Sequence, residues 1–305
     1  FEQSKKLLEA STIKGTSFRN IGHSVMSGRV VDMAVNPEDP TNFYVAYATG
    51  GLWHTINNGQ SFTSVFDSEA ILTIGAIAVN WKSNIIWVGT GEVNSSRSSY
   101  AGIGVYKSSN GGKSWDYLGL PESHHIGKIV INEAEPNTAW VAALGHLYSP
   151  NKERGVYKTT DGGKNWNQTL YVDANTGAVD IDIDSKNPSI LYAAMWYRTR
   201  TASNFEESGK TSGIFKSTDG GDHWTLVSTP TSGFPSGDGV GRIGLAVYPK
   251  NPSIVYAIVD NNFHQPDTAM QKAADTSRYV LRDFKALTVD QFIALDDRKL
   301  NAFLK

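Results

Sequence analysis

One nine-residue pattern occurs four times along the chain: HTINNGQSF (His54 to Phe62), KSSNGGKSW (Lys107 to Trp115), KTTDGGKNW (Lys158 to Trp166) and KSTDGGDHW (Lys216 to Trp224). All four obey S/T-x-D/N-x-G-x-x-W/F, and their D/N positions, Asn57, Asn110, Asp161 and Asp219, follow one another at intervals of 53, 51 and 58 residues. A motif held at one period, with no drift in its own length, describes a structural unit that is stacked rather than a site that is used once. The chemistry of the pattern agrees. A short Asp or Asn side chain accepts backbone N–H groups across its own turn, the glycines allow positive φ, and the hydroxyl before them adds a further bond. The aromatic ring that closes the pattern is large enough to pack over the turn and onto a neighbour. Asn serves as well as Asp in that role, which a catalytic or metal-binding carboxylate would not allow. A phosphate loop would need a G-K-S/T ending, and none is present.

The flanks repeat with the boxes. A short apolar run precedes three of them, GVYK (Gly104 to Lys107), GVYK (Gly155 to Lys158) and GIFK (Gly213 to Lys216). Further upstream, two strand-like segments are split by a turn, as in IGKIVINEAEPNTAWVAAL and RIGLAVYPKNPSIVYAIVD. Each unit therefore reads strand, turn, strand, variable loop, strand, box, strand. The predicted fold class is all-β: a β-propeller of four-stranded antiparallel blades with box turns, plus a short C-terminal helical segment. Blades start near Arg29, Thr73, Ile126 and Ala178, and a fifth without a box starts near Arg242. Residues 1–266 are thus expected to hold four complete blades and a fifth begun. Residues 267–305 form a helical insertion or linker, with a capping box at Thr288 and Gln291 followed by Phe292, Leu295, Leu300 and Phe303 at helical spacing. Four and a half blades do not close a ring, so the chain is expected to be a fragment of a larger propeller protein. The remaining blades would come from the missing chain or from a partner, with TSFRNIG near Thr16 as a closing outer strand.

These units resemble the BNR or Asp-box repeats of bacterial sialidases, family 74 xyloglucanases, the sortilin (Vps10) ectodomain and the photosystem II stability factor, from about Thr16 to Asp260. Taken whole, the chain resembles bacterial secreted proteins described as glycosyl hydrolase-like or Vps10/sortilin-like, which implies a secreted, periplasmic or cell-surface location. The box is shared by enzymes and non-enzymes, so it speaks for fold rather than activity. Family 74 enzymes have a catalytic aspartate two residues before a Gly-Gly; the matching stretch YVAYATGGLW has Ala48 there. The sialidase F-R-I-P motif is matched by FRNI (Phe18 to Ile21), without the proline, and the cysteine-rich module of sortilin-type ectodomains has no counterpart in a chain without cysteine.

Because antiparallel strands alternate ends, the boxes lie at one end of the blades and the loops after the second strands, with the inter-blade connections, lie at the other. The insertions are concentrated there, and loops that vary on a rigid scaffold are where binding resides. They carry the candidate ligand-binding residues Glu92, Arg97, Tyr100, His124, His125, His146, Tyr148, Arg154, Trp196, Arg198 and Arg200, a mixture of rings and charged groups suited to a peptide or a polysaccharide. Asp32 and Asp180, at equivalent positions near the starts of two inner strands, are the candidate catalytic carboxylates for a glycoside hydrolase; the bland alternative pairs them with Arg29 or Arg242. Asp182, among small apolar counterparts, needs a hydrogen-bond partner. No metal set is expected, since the adjacent histidines of SHHIG point to different sides, and no cofactor is expected. With 28 basic and 30 acidic residues the net charge is −2, which argues against nucleic acid as a partner, and no apolar run is long enough to insert into a membrane. Two readings stand: a binding module for a polymeric ligand, peptide or polysaccharide, on the variable-loop face, and a glycoside hydrolase.

Overall fold

The computed structural model describes residues 28–96, 99–263, 277–284 and 287–304, with residues 6–7 and 9–12 near the start. TSFRNIG, including Arg19, and the ligand-binding candidate Arg97 lie outside the described residues. The chain divides into two units, Phe1–Phe263 and His264–Lys305.

The first unit is a series of antiparallel sheets, four of them with four strands in chain order and two with two strands. Blade 1 comprises β1 (Val30–Val35), β2 (Phe43–Tyr47), β3 (Gly51–Thr55) and β4 (Thr63–Ser64). Blade 2 comprises β5 (Ile74–Asn80), β6 (Ile85–Thr90), β7 (Val105–Ser108) and β8 (Asp116–Tyr117). Blade 3 comprises β9 (Ile126–Ile131), β10 (Ala139–Ala143), β11 (Gly155–Thr159) and β12 (Asn167–Leu170). Blade 4 runs β13 (Thr176–Ile183), β14 (Leu191–Tyr197), β17 (Gly213–Ser217) and β18 (Thr225–Leu226), with the small hairpin β15 (Thr199–Arg200) and β16 (Phe205–Glu206) inserted in its variable loop. A fifth blade begins with the pair β19 (Val240–Val247) and β20 (Val255–Asn261). The period in the sequence is therefore the period of the blades.

The internal blades are apolar on both faces and bury them against their neighbours, giving a separate hydrophobic core at each of the four junctions. An aromatic residue recurs on the second strand, opposite a cationic or imidazole side chain on the third. The pairs are Tyr44 with His54, Trp87 with Lys107, Trp140 with Lys158, and Tyr192 with Lys216. The imidazole of His54 stacks on Tyr44 at 4.1 Å, and the three lysine ammonium groups lie 4.8, 6.0 and 5.4 Å from their rings. Such cross-strand pairs give each blade its own register lock.

Close approach between blades depends on small residues. The inner strands of blades 2 and 3 open with Ile-Gly, and the ladder to the second strand skips a residue there, a β-bulge at Gly75 and at Gly127. A Cβ on Gly75 would overlap the carbonyl oxygen of Ile126, and one on Gly127 that of Val179, each in the next blade.

The two ends of the series are open. Met33 in β1 is 55% exposed, whereas its counterparts Ile77, Ile129 and Ile181 are 4%, 2% and 0% exposed. At the other end Tyr256 is 62% and Ile258 77% exposed, where blade 3 has Trp140 at 2% and Ala142 at 0%. Both terminal blades thus present the apolar face that internal blades cover with a neighbour.

In the second unit a 3-10 turn (Leu281–Phe284) precedes α1 (Val289–Ile293) and α2 (Asp297–Leu304). The capping box has both reciprocal bonds, Gln291 N–H to Thr288 Oγ1 and Thr288 N–H to the Gln291 side chain. Phe284 contacts Phe292 and Phe303. No helix among the described residues is long and apolar enough to cross a membrane.

Candidate functional site

The boxes build one end of the blades. The Asp161 carboxylate accepts the Asn165 N–H at 3.0 Å and the Thr159 hydroxyl at 2.9 Å, while Thr159 Oγ1 accepts the Gly163 N–H at 3.0 Å. Asn57 with Thr55, Asn110 with Ser108, and Asp219 with Ser217 repeat this set. The hydrogen bonds hold Asp161 down at about 2 and push Asp219 lower still, in both cases chiefly through the backbone N–H four residues on. The box tryptophans reach back to the preceding blade: Trp115 Nε1–H donates to Val65 O at 2.7 Å, Trp166 to Leu118 O at 2.9 Å, and Trp224 to Thr169 Oγ1 at 3.2 Å.

The candidate catalytic carboxylates bridge blades as well. Asp32 accepts the Ile77 N–H at 3.0 Å, and Asp180 accepts the Leu245 N–H at 2.8 Å, each donor lying on the inner strand of the next blade. Asp182 does the same with Val247 at 2.7 Å, which supplies the partner its apolar surroundings require. Lys128 Nζ lies 3.9 Å from Asp32, and burial raises the pKa of Asp180. Arg29 pairs not with Asp32 but with Glu92.

At the variable-loop end the sequence candidates separate into two layers. The lower layer is buried. Glu92 ion-pairs with Arg29 through one oxygen, while its other oxygen has no hydrogen-bond partner. The Glu92 carbonyl accepts the Nδ1–H of His125 at 2.7 Å. Burial, and then the nearby Arg198, push His125 down to about 3, so it stands neutral. Arg154 spends its guanidinium on the loops: its donors go to Asn151 Oδ1 (3.0 Å) and to the carbonyls of Asn175 (3.1 Å), His146 (2.7 Å) and Ser149 (3.1 Å). Arg198 donates to Ser95 Oγ and, at 3.2 Å, to Gly145 O. Arg200 donates to Ser95 O at 2.9 Å and lies over the Phe205 ring. The Nε–H groups of both Arg198 and Arg200 are buried without a partner. Trp196 is buried, donates to Glu207 O at 2.7 Å, and has Arg198 on one contact and Arg242 on another, both 5.7 Å from its ring.

Burial, and then the proximity of Arg154, Arg242 and Arg200, lower the pKa of Arg198. Among the described residues no carboxylate forms an ion pair with Arg154, Arg198 or Arg200. Sequence position alone did not separate these residues from surface candidates, because Arg154 is covered by its own loop and Arg198 and Arg200 by the loops of other blades, all of them polar segments.

The upper layer is accessible. Tyr100 and Tyr148 are exposed. Tyr100 lines a cleft of about 400 Å³ with Arg29, Ala48, Thr49 and Thr73. A second cleft of about 350 Å³ involves Tyr197, Glu206, Lys210 and Asp238. His124 and His146 stack with ring centroids 3.8 Å apart, and both face Glu122, a residue of the PESHH connection that sequence reasoning passed over. The SHH pair does diverge: His124 and His125 meet edge to face at 76°. It is His146, from another loop, that completes the group.

A family model described as Sortilin, neurotensin receptor 3 (Sortilin-Vps10) matches residues 104–295. The Vacuolar protein sorting/targeting protein 10 of Kluyveromyces lactis is 24% identical over 192 residues, which cover 58% of this chain and 12% of that protein. The chain thus corresponds to a small part of that relative's length. Among solved structures, an ancestral GH74 enzyme superposes with a TM-score of 0.56 at 22% identity, over 76% of this chain and 29% of the other. The GH74 enzyme of Niastella koreensis gives 0.53 at 22% identity, over 75% and 35%. At these identities the likeness concerns the fold, a β-propeller built from blades of this kind.

Proposed function

This chain belongs to the Sortilin-Vps10 family, and we propose that it is an extracytoplasmic propeller module that binds an extended peptide or protein segment on its variable-loop face. The observation that carries this reading is the cluster of the buried Arg154 and Arg198 with the half-buried Arg200, which has no ion-paired carboxylate among the described residues. Fixed positive charge below a rim of exposed tyrosines suits a segment that brings its own carboxylates. The box end, whose polar groups are spent on its own turns, offers nothing equivalent.

Fluorescence anisotropy with acidic, neutral and basic peptides of equal length tests it. Acidic peptides bind, and binding weakens with salt and in Arg200→Gln or Tyr148→Ala. Equal affinity for all three, or capture of a neutral polysaccharide in place of peptides, overturns the reading. The hydrolase alternative has its own arm: sugar release from β-glucans that is abolished by Asp32→Asn or Asp180→Asn would replace binding with catalysis. The bonds of both carboxylates to neighbouring blades speak against it.

The open faces of the terminal blades belong to the same proposal. Their occupants are further four-stranded blades of this type, because at each internal junction the equivalent apolar face is covered by one.

A further inference from the structure

We propose that Glu122, His124 and His146 bind one divalent transition-metal ion of the Zn²⁺ class at the rim of the variable-loop face. Glu122 belongs to the 3-10 turn Pro121–Ser123 between blades 2 and 3, His124 follows that turn, and His146 lies in the loop after β10. One donor atom from each lies within 4.8 Å of the other two. His146 Nε2 is 3.0 Å and His124 Nε2 3.9 Å from the same Glu122 oxygen. Ligands at about 2.05 Å around a tetrahedral ion stand about 3.3 Å apart, a value these two separations bracket. Two imidazoles and a carboxylate, with a fourth position open to solvent, are a donor set that favours Zn²⁺, Cu²⁺, Ni²⁺ or Co²⁺ over Mg²⁺ and Ca²⁺.

The surroundings hold the set in place. His146 Nδ1 is engaged by Ser149 Oγ at 2.9 Å, which fixes the ring and leaves Nε2 turned to Glu122. Asn151 ties the two loops together: its Nδ2 donates to Glu122 O at 3.0 Å, and its Oδ1 accepts the His146 N–H at 2.9 Å and the Arg154 Nε–H at 3.0 Å. The buried arginine thus anchors the loop that carries one ligand. His124 is held at φ 47°, a left-handed conformation that a β-carbon disfavours; its ring stacks on that of His146 at 3.8 Å and 23°, so ion binding turns the His124 side chain to bring both Nε2 lone pairs onto one point. His125 takes no part: it is buried, and its ring meets that of His124 edge to face at 76° with centroids 6.3 Å apart. The inference does not depend on the peptide reading, although an ion with an open position would offer a ligand carboxylate a direct bond.

The test is a titration of chelator-treated protein with Co²⁺ and then Zn²⁺. Expected is one equivalent of Co²⁺ with visible absorption bands of a four- or five-coordinate ion, displaced by Zn²⁺ and unchanged by excess Mg²⁺ or Ca²⁺. His146→Ala removes the bands, Glu122→Gln weakens binding at least 10-fold, and Ser149→Ala weakens it about 10-fold through the ring orientation. His223→Ala, in a box at the other end, leaves binding unchanged. Substoichiometric binding, or bands that survive in His146→Ala and Glu122→Gln with circular dichroism unchanged, overturns the proposal.

Discussion

The carboxylate of Asp180 accepts the backbone N–H of Leu245 at 2.8 Å, across the junction between blades 4 and 5. Two residues on, Asp182 repeats the bond with Val247, and Asp32 makes it with Ile77 between blades 1 and 2. An inner strand uses its ladder bonds within its own blade, so these side chains supply a polar link from one inner strand to the next. Asp180→Ala removes the bond to the part-buried Leu245 N–H and is expected to cost about 1 kcal/mol. Asp180→Asn keeps the bond through its amide oxygen and costs less. Burial raises the pKa of Asp180 in the folded chain, so its contribution to stability is fully present below the unfolded value of 3.8 and is lost as pH rises through the higher folded value. Urea unfolding across pH 3 to 7 should show that slope in the native sequence and lose it in Asp180→Asn. An unchanged slope would assign the raised pKa to something other than this junction.

The boxes respond to acid in the opposite sense. Asp161 is held at about 2 against an ordinary 3.8, so its contribution is present above about pH 4 and disappears as pH falls toward 2. Asp219 is lowered further, by His223 and Ser217. Asn57 and Asn110 hold equivalent turns without a titrating group. The double variant Asp161→Asn, Asp219→Asn should therefore fold normally and flatten the acid limb of Tm between pH 4 and 2. A limb as steep as in the native sequence would place acid sensitivity elsewhere.

The blades were legible in the sequence because box, aromatic and strand recur together: Trp87, Trp140 and Tyr192 and their facing lysines carry one instruction three times over. The inner-strand acids have partners that the sequence does not show. Position near a strand start places Asp32 and Asp180 near the channel mouth, but it does not say that the next blade brings an amide within 3 Å of each. The arginines posed the converse problem. Arg154 and Arg198 sit in segments as polar as any exposed loop, and only the fold reveals that Arg154 bonds carbonyls of its own loop while Arg198 reaches Ser95 and Gly145 in the loops of other blades. Glu122 and His146 are 24 residues apart and meet through Asn151, a relationship that spacing does not encode.

The Ile-Gly start of an inner strand was a repeat signal of the same kind. The φ of Gly127 lies outside the left-handed region, so its role is contact rather than backbone freedom: a Cβ there meets the Val179 carbonyl of blade 4. Gly127→Ala forces the two backbones apart and is expected to cost about 1–3 kcal/mol. It should lower the urea midpoint with no change in slope. A midpoint equal to that of the native sequence would mean that the junction yields freely.

The open ends make a two-sided prediction. Ile258 and Ala142 occupy the same position on the second strands of blades 5 and 3, opposite Gly244 and Lys128, yet one is 77% exposed and the other 0%. With no blade over it, Ile258→Glu should change stability by no more than about 0.5 kcal/mol. Ala142→Glu places a charge in a dry junction and should prevent folding. The exposed Tyr256 and Ile258, with Met33 at the far end, form apolar surface of the kind that drives association. Sedimentation velocity should therefore show concentration-dependent self-association of the chain, reduced in Ile258→Glu with Tyr256→Glu. A further blade joined after β20 should abolish that association and make Ile258→Glu as damaging as Ala142→Glu. Tolerance of Ile258→Glu in that longer chain would mean that a blade is not what covers this face.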